Sequence, residues 1–180
     1  CVDDCHEYGI PTMIVHLTSG YNPPAPSELG LNRIRKIIER AEQRNVNVAL
    51  ENLRIPEYLE FVFSRINSNR LGFCFDSGHQ NCYSKHTDLL SMYGDKLMAL
   101  HLHDNDESGD QHRMPFDGNI DWNTVMKKFN TIHYHGPTAL EIKSMGYYHM
   151  EPREFLAIAF ERAKRLENLR MSIISGHRMK

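Results

Sequence analysis

Short apolar runs punctuate the chain, and between them apolar positions recur every three or four residues. Thr12 to His16 is the first run, after Gly9 and Pro11, and reads as a strand. Leu31, Ile34, Ile37, Ile38 and Ala41 follow at helical spacing. Val46 to Glu51 reads as a strand and Pro56 to Ile66 as a helix, with Pro56 at a permitted first-turn position. Leu71 to Asp76 is a third strand, and a helix is expected from about Thr87 to Tyr93. Leu97 to His101 is a fourth strand, followed by a polar loop from Asp104 to Asn119. Asp121 is the expected N-cap of the next helix. Thr138 to Glu141 reads as the last strand, and a helix from Pro152 to Leu169 places Phe155, Ala159, Ala163 and Leu166 on one face. Val2 to Tyr8 reads as the tail of a helix.

The pattern is five successive βα units. Their strands are apolar throughout rather than alternating, as in parallel strands buried on both faces. Repeated βα units with short strands make either a doubly wound sheet or a TIM barrel. Neither a GxGxxG nor a P-loop sequence is present, which weakens the nucleotide-binding doubly wound fold. A (β/α)8 barrel has eight strands and about 250 residues. The expectation is therefore an α/β TIM barrel with about three upstream units outside this chain. Residues 1–180 would form a single domain, the C-terminal portion of that barrel. A complete five-stranded open sheet is the alternative.

Composition narrows the picture. The 180 residues are 41% hydrophobic and 24% charged with a net charge of −2, ordinary for a globular protein and unlike a disordered one. No apolar run approaches the roughly 18 residues of a membrane span. The lack of a basic excess weighs against nucleic acid as a partner. Cys1, Cys5, Cys74 and Cys82 form no CxxC pair, so a reducing compartment, the cytoplasm, is expected. The chain opens on Cys1 without an initiator Met and shows no signal peptide. Histidine is unusually frequent, at 11.

The residues ending the apolar runs are His16, Glu51, Asp76, His101 and Glu141. In a parallel barrel the C-terminal strand ends converge on one face, where active sites lie. So many ionisable groups in a small space repel or desolvate badly unless a cation holds them. Asp76-Ser77-Gly78-His79 places a carboxylate and an imidazole at a strand exit, and Asp110-Gln111-His112 repeats the pair in the long loop. His103 is expected to face away from His101 and to support the structure rather than ligate. His133 and His135 are assigned to the other end of the barrel, and His6, His86, His149 and His177 to structure or surface. Asp104 to Gly109 imitates the start of an EF-hand loop, but Pro115 stands where the bidentate Glu is required, so that reading is rejected.

These pieces together resemble the xylose-isomerase-like TIM barrel superfamily, which contains sugar-phosphate isomerases and epimerases and the family-2 AP endonucleases. The matching segments are Leu50-Glu51-Asn52, Phe75 to His79, Leu100 to Asp104, Asp110-Gln111-His112, Pro115 to Trp122 and Leu140-Glu141, in order along nearly the whole chain. Phe116 stands where the Pro-Gly-x-Gly-x-Ile-Asp-Trp loop of these relatives has its first glycine. The resemblance implies a core divalent metal (Mn, Mg, Co or Zn) on Glu51, Asp76, His101 and Glu141. It implies a metal-dependent sugar or sugar-phosphate isomerase or epimerase that moves a proton through an enediolate, with Glu51 and Glu141 as the acid/base pair. His79, Arg113, Glu57 and His16 are the candidate substrate contacts. The rival within the superfamily is a three-zinc endonuclease acting on abasic DNA, with His16, His79, Asp110 and His112 as the extra ligands. A truncated, non-catalytic barrel is the third reading. A small-molecule sugar is the expected partner, with homo-oligomerisation left open.

Overall fold

The computed structural model describes residues 1–177, with side chains to residue 172. Its elements are α1 (Val2–Glu7), β1 (Thr12–Val15), α2 (Glu28–Arg44), β2 (Asn47–Glu51), α3 (Glu57–Phe63), β3 (Leu71–Asp76), α4 (Ser77–Tyr83), α5 (Leu89–Tyr93), β4 (Leu97–His101), α6 (Trp122–Thr131) and α7 (Pro152–His177). The four strands form one sheet in the order β1-β2-β3-β4, and every pairing is parallel. This is the α/β architecture of half a (β/α)8 barrel, with consecutive strands side by side and helices outside.

The sheet divides its side chains by face. On β3, Phe73 and Phe75 turn outward, where their rings meet Tyr93 of α5 and Phe129 of α6. Cys74 and Asp76 take the opposite, inner face, since successive side chains alternate. A Cβ on Gly72 would lie 2.3 Å from the Met98 sulfur, so only glycine lets β4 approach so closely. Leu31, Ile38 and Ala41 of α2 are buried, and the helix is closed by Ser27 at its N-cap and by Asn45 in the left-handed conformation at its C-cap. Asp121 caps α6 as its sequence predicts, accepting from the amides of Asn123 and Thr124.

Two elements depart from expectation. The last strand is reduced to a single parallel bridge between Leu102 and Leu140. β4 ends at His101, and Pro137 has no N–H to extend the ladder, so only Leu102 N→Ala139 O and Glu141 N→Leu102 O remain. The helix expected near Thr87 is the short α5, and a further helix, α4, precedes it directly after β3. His6, His86, His133, His135 and His149 are exposed, as their peripheral reading requires, and the side chain of His177 lies outside the described residues.

Candidate metal centre

Glu51 ends β2, Asp76 ends β3, His101 ends β4, and Glu141 follows the bridging Leu140. The register sets Asp76 beside His101 and Glu51 beside Cys74. One ligand atom from each of Glu51, Asp76, His101 and Glu141 falls within 4.8 Å of the others. His101 Nδ1 lies 2.9 Å from Glu51 Oε2 and 3.4 Å from Glu141 Oε2. Yet Glu51 Oε1, His101 Nδ1 and Glu141 Oε2 are all buried without a hydrogen-bond partner. They crowd without being angled to bond one another. Ligand bonds of about 2.1 Å would set such atoms roughly 3–4 Å apart around an ion. Three carboxylates and one imidazole are also a donor set suited to a borderline or hard divalent ion. The residues present therefore fit the implied metal.

Local structure holds these four side chains in place. The Asp76 carboxylate caps α4 by accepting from the His79 amide at 2.6 Å. Asn52, wholly buried, clamps the Asp76 backbone: its Nδ2 donates to the Asp76 carbonyl and its Oδ1 accepts from the Asp76 amide, at 2.9 and 2.8 Å. His103 Nε2 meets Asp76 Oδ2 at 3.1 Å. His103 thus joins the cluster instead of facing away, because residues two apart on a strand share a face. Its ring presses on Gly78, where a Cβ would stand 1.8 Å from His103 Cε1. It also stacks on His112 at 4.1 Å between centroids.

A second group adjoins the first. His79 Nδ1 lies 2.9 Å from the Asn52 carbonyl and 3.1 Å from Glu51 Oε1, and its Nε2 faces Asp110 Oδ2 at 3.4 Å. Asp110 Oδ2 meets His112 Nε2 at 3.2 Å, while His112 Nδ1 sits 2.9 Å from the Glu141 carbonyl. His16 Nε2 reaches Glu51 Oε2 at 3.1 Å from a half-exposed position. So His16, His79 and His112 border the four central groups, and Asp110 joins them through His79 and His112. Arg113 does not: its guanidinium pairs with Asp106 at 3.0 Å and donates to the Asp117 carbonyl. Glu57 is exposed at the start of α3 and lines a separate groove with Glu60 and Tyr83. A cavity of about 220 Å³ opens beside the cluster, lined by His16, His79, Asp110, Arg54, Thr18 and Ser19 among others. The larger cavity, about 580 Å³, lies by α4, α5 and α6 and includes none of the cluster residues.

Charge pairing sets the proton affinities. Burial pushes the Glu51 carboxyl up, but His101, His79 and His16 outweigh it and hold Glu51 well below the carboxylate range. Burial lowers His79, yet Asp110 and Glu51 lift it to about 10. Asp110 is held low against its burial by His112 and His79. Glu141 moves the other way: burial raises it, His101 pulls back, and the charges of Asp76 and Glu51 push it up further.

Residues 1–169 match the family model described as xylose isomerase-like TIM barrel. The chain belongs to that family. A curated relative is the uncharacterized protein y4fM of Sinorhizobium fredii strain NBRC 101917 / NGR234, 34% identical over 134 residues, covering 71% of this chain and 43% of the relative. Among solved structures, a D-tagatose 3-epimerase-like protein superposes with a TM-score of 0.72 at 23% identity, over 97% of this chain and 67% of that one. The IolI protein, crystallised with a bound zinc atom, superposes with a TM-score of 0.68 at 15% identity, over 97% of this chain and 66% of that one. These likenesses show the fold. The chain spans about half the length of the curated relatives it matches, at 43% and 56% of them. Within this xylose isomerase-like barrel, no helix among the described residues is long and apolar enough to cross a membrane.

Proposed function

We propose that this chain carries the metal centre of a sugar or sugar-phosphate isomerase or epimerase, and that residues 1–180 are one domain, the C-terminal portion of its barrel. The observation that carries the reading is the convergence of Glu51, Asp76, His101 and Glu141 from successive strand ends, with two glutamates flanking one imidazole. Epimerase and zinc-bound neighbours of the same fold support it. A divalent ion held by these four residues supplies Lewis-acid polarisation of a carbonyl and its adjacent hydroxyl.

The chain's own groups then move the proton. Glu141 has the higher proton affinity of the two glutamates and is the more exposed, so it takes the proton from the carbon next to the carbonyl. Glu51, kept ionised by His101, His79 and His16, faces the enediolate from the other side and receives or returns a proton through those imidazoles. His79 and His16, bordering the cavity, hold substrate hydroxyls. Neither Arg113 nor Glu57 has a place in this scheme, because neither borders that cavity. The four unpaired cysteines suit the reducing cytoplasm.

One observation favours the three-zinc phosphodiesterase instead: Asp110 is flanked by His79 and His112 in a second cluster of ligand types. Both readings are tested on the full-length protein. Glu141→Gln should abolish exchange of a sugar's α-proton with deuterated solvent while core metal is retained. Exchange at the parental rate in that variant overturns the two-glutamate mechanism. About three zinc ions per chain together with cleavage of abasic DNA overturns the isomerase.

A further inference from the structure

Arg54 lies in the loop after β2, three residues beyond Glu51. Its guanidinium is sandwiched between two aromatic faces, 4.5 Å from the Tyr21 ring centroid and 4.7 Å from that of Tyr83. Aromatic faces hold a cation in place without neutralising it. Arg40, Arg113, Arg162 and Arg170 each pair with a carboxylate, whereas Arg54 forms no ion pair among the described residues. Its Nε is buried with no acceptor. A buried N–H without a partner is unfavourable, so the guanidinium keeps hydrogen-bonding capacity that an incoming acceptor can satisfy.

The position of this cation is what gives it a role. Arg54 lines the cavity that His16, His79 and Asp110 share. Tyr83 connects the two, its ring 4.7 Å from the guanidinium and 5.8 Å from the His79 ring centroid. The cavity otherwise carries the negative charge of Asp110, which is already engaged by His79 and His112. Glu57 and Glu60 share a groove with Arg54 but neither pairs with it. A rigid, planar, uncompensated guanidinium is the group that matches the oxygens of a phosphate or carboxylate two at a time.

We propose that Arg54 is the anion-recognition residue of this cavity, and that the substrate is a sugar carrying a terminal phosphate or carboxylate. Arg54 takes the anionic end while the reacting carbons lie at Glu51 and Glu141; this assignment rests on the isomerase reading above. The test uses the metal-loaded, full-length protein with Arg54→Gln and Arg54→Lys. Inorganic phosphate, titrated by calorimetry, should bind the parent, bind the Gln variant at least about tenfold more weakly and bind the Lys variant in between. In parallel, α-proton exchange is followed by NMR for neutral pentoses and hexoses, their terminal phosphates, and the matching uronic acids. Anionic sugars should be preferred over neutral ones by about 10- to 100-fold in kcat/KM. That ratio should collapse in the Gln variant and be partly restored by Lys. The phosphate and uronate arms identify which anion is read. Exchange with neutral sugars as fast as with anionic ones, at a ratio unmoved by Arg54→Gln, overturns the role of Arg54 and leaves the isomerase reading standing. Absence of exchange with every sugar removes the isomerase reading, and phosphate binding unchanged in Arg54→Gln then overturns the anion site on its own.

Discussion

Asn52 spends its whole side-chain amide on the Asp76 backbone, with no solvent to replace either bond. Asn52→Ala leaves a buried N–H and a buried C=O without partners, each worth about 1–3 kcal/mol. The variant should lose about 2–4 kcal/mol in urea unfolding and bind zinc or manganese about 10- to 100-fold more weakly, because the Asp76 carboxylate is no longer fixed. Unchanged metal affinity would mean that Asn52 serves the strand alone. The clustered acids and imidazoles themselves were legible, since an acid or imidazole closing an apolar run stands out from its surroundings. Asn52 entered only as part of a matching segment, and Arg54 and Tyr83 not at all, because an amide, a guanidinium and a phenol in loops and short helices carry no periodic signal. Their roles come from partners far away in the chain. Phe116 is intermediate: it stands where relatives have glycine, and the structure gives it φ +75°, the left-handed region glycine favours. Its ring packs against Trp122 and under the Arg165 guanidinium.

The loop from Asp104 to Asp121 is a structured element built around one carboxylate. Asp104 is fully buried and accepts from the amides of Asn105, Phe116 and Ile120 and from the Trp122 indole, at 2.9, 2.9, 3.2 and 2.8 Å. Its imitation of a calcium loop in the sequence reflects this use of an acid to gather backbone donors. Asp104→Asn keeps one acceptor and turns a donor toward N–H groups. It should destabilise the protein by about 2–4 kcal/mol and shift the emission of Trp122, the single tryptophan, to longer wavelength. Emission unchanged from the parent would show that the loop does not depend on Asp104. The sequence concealed α4 because Ser77 to Tyr83 lacks an apolar period; the helix exists through the Asp76 cap. It overstated the last strand because apolar residues were present but only Leu102 was placed to pair with them.

Across the molecule, the parallel order of the strands was legible because short, fully apolar strands alternating with amphipathic helices have few other solutions. The balance of charge at their ends was not, because it depends on which groups meet. In the metal-free protein His79 holds its proton up to about pH 10, against about 6.5 in an unfolded chain. That contribution to stability is complete below about pH 6.5 and disappears as pH rises toward 10. Glu51 and Asp110, held below the usual carboxylate range, contribute fully above about pH 4.5 and lose that contribution as pH falls. The metal-free protein should therefore melt at lower temperature at pH 8.5 than at pH 6. Zinc or manganese bound at the proposed site on Glu51, Asp76, His101 and Glu141 would displace protons from these groups, so it should raise the melting temperature more at pH 8 than at pH 6. Equal gains at both values, read by differential scanning fluorimetry, would place metal binding away from this cluster.

Gly78 and His103 meet so closely that each fixes what the other can be. His103 is fully enclosed and has no room to swing aside, so any side chain at position 78 has to wait for a smaller residue at position 103. In the history of such a sequence the two sites form one locus. A lineage can leave this pairing only by shrinking the imidazole first, and it then passes through ancestors in which Asp76 has lost a neighbour.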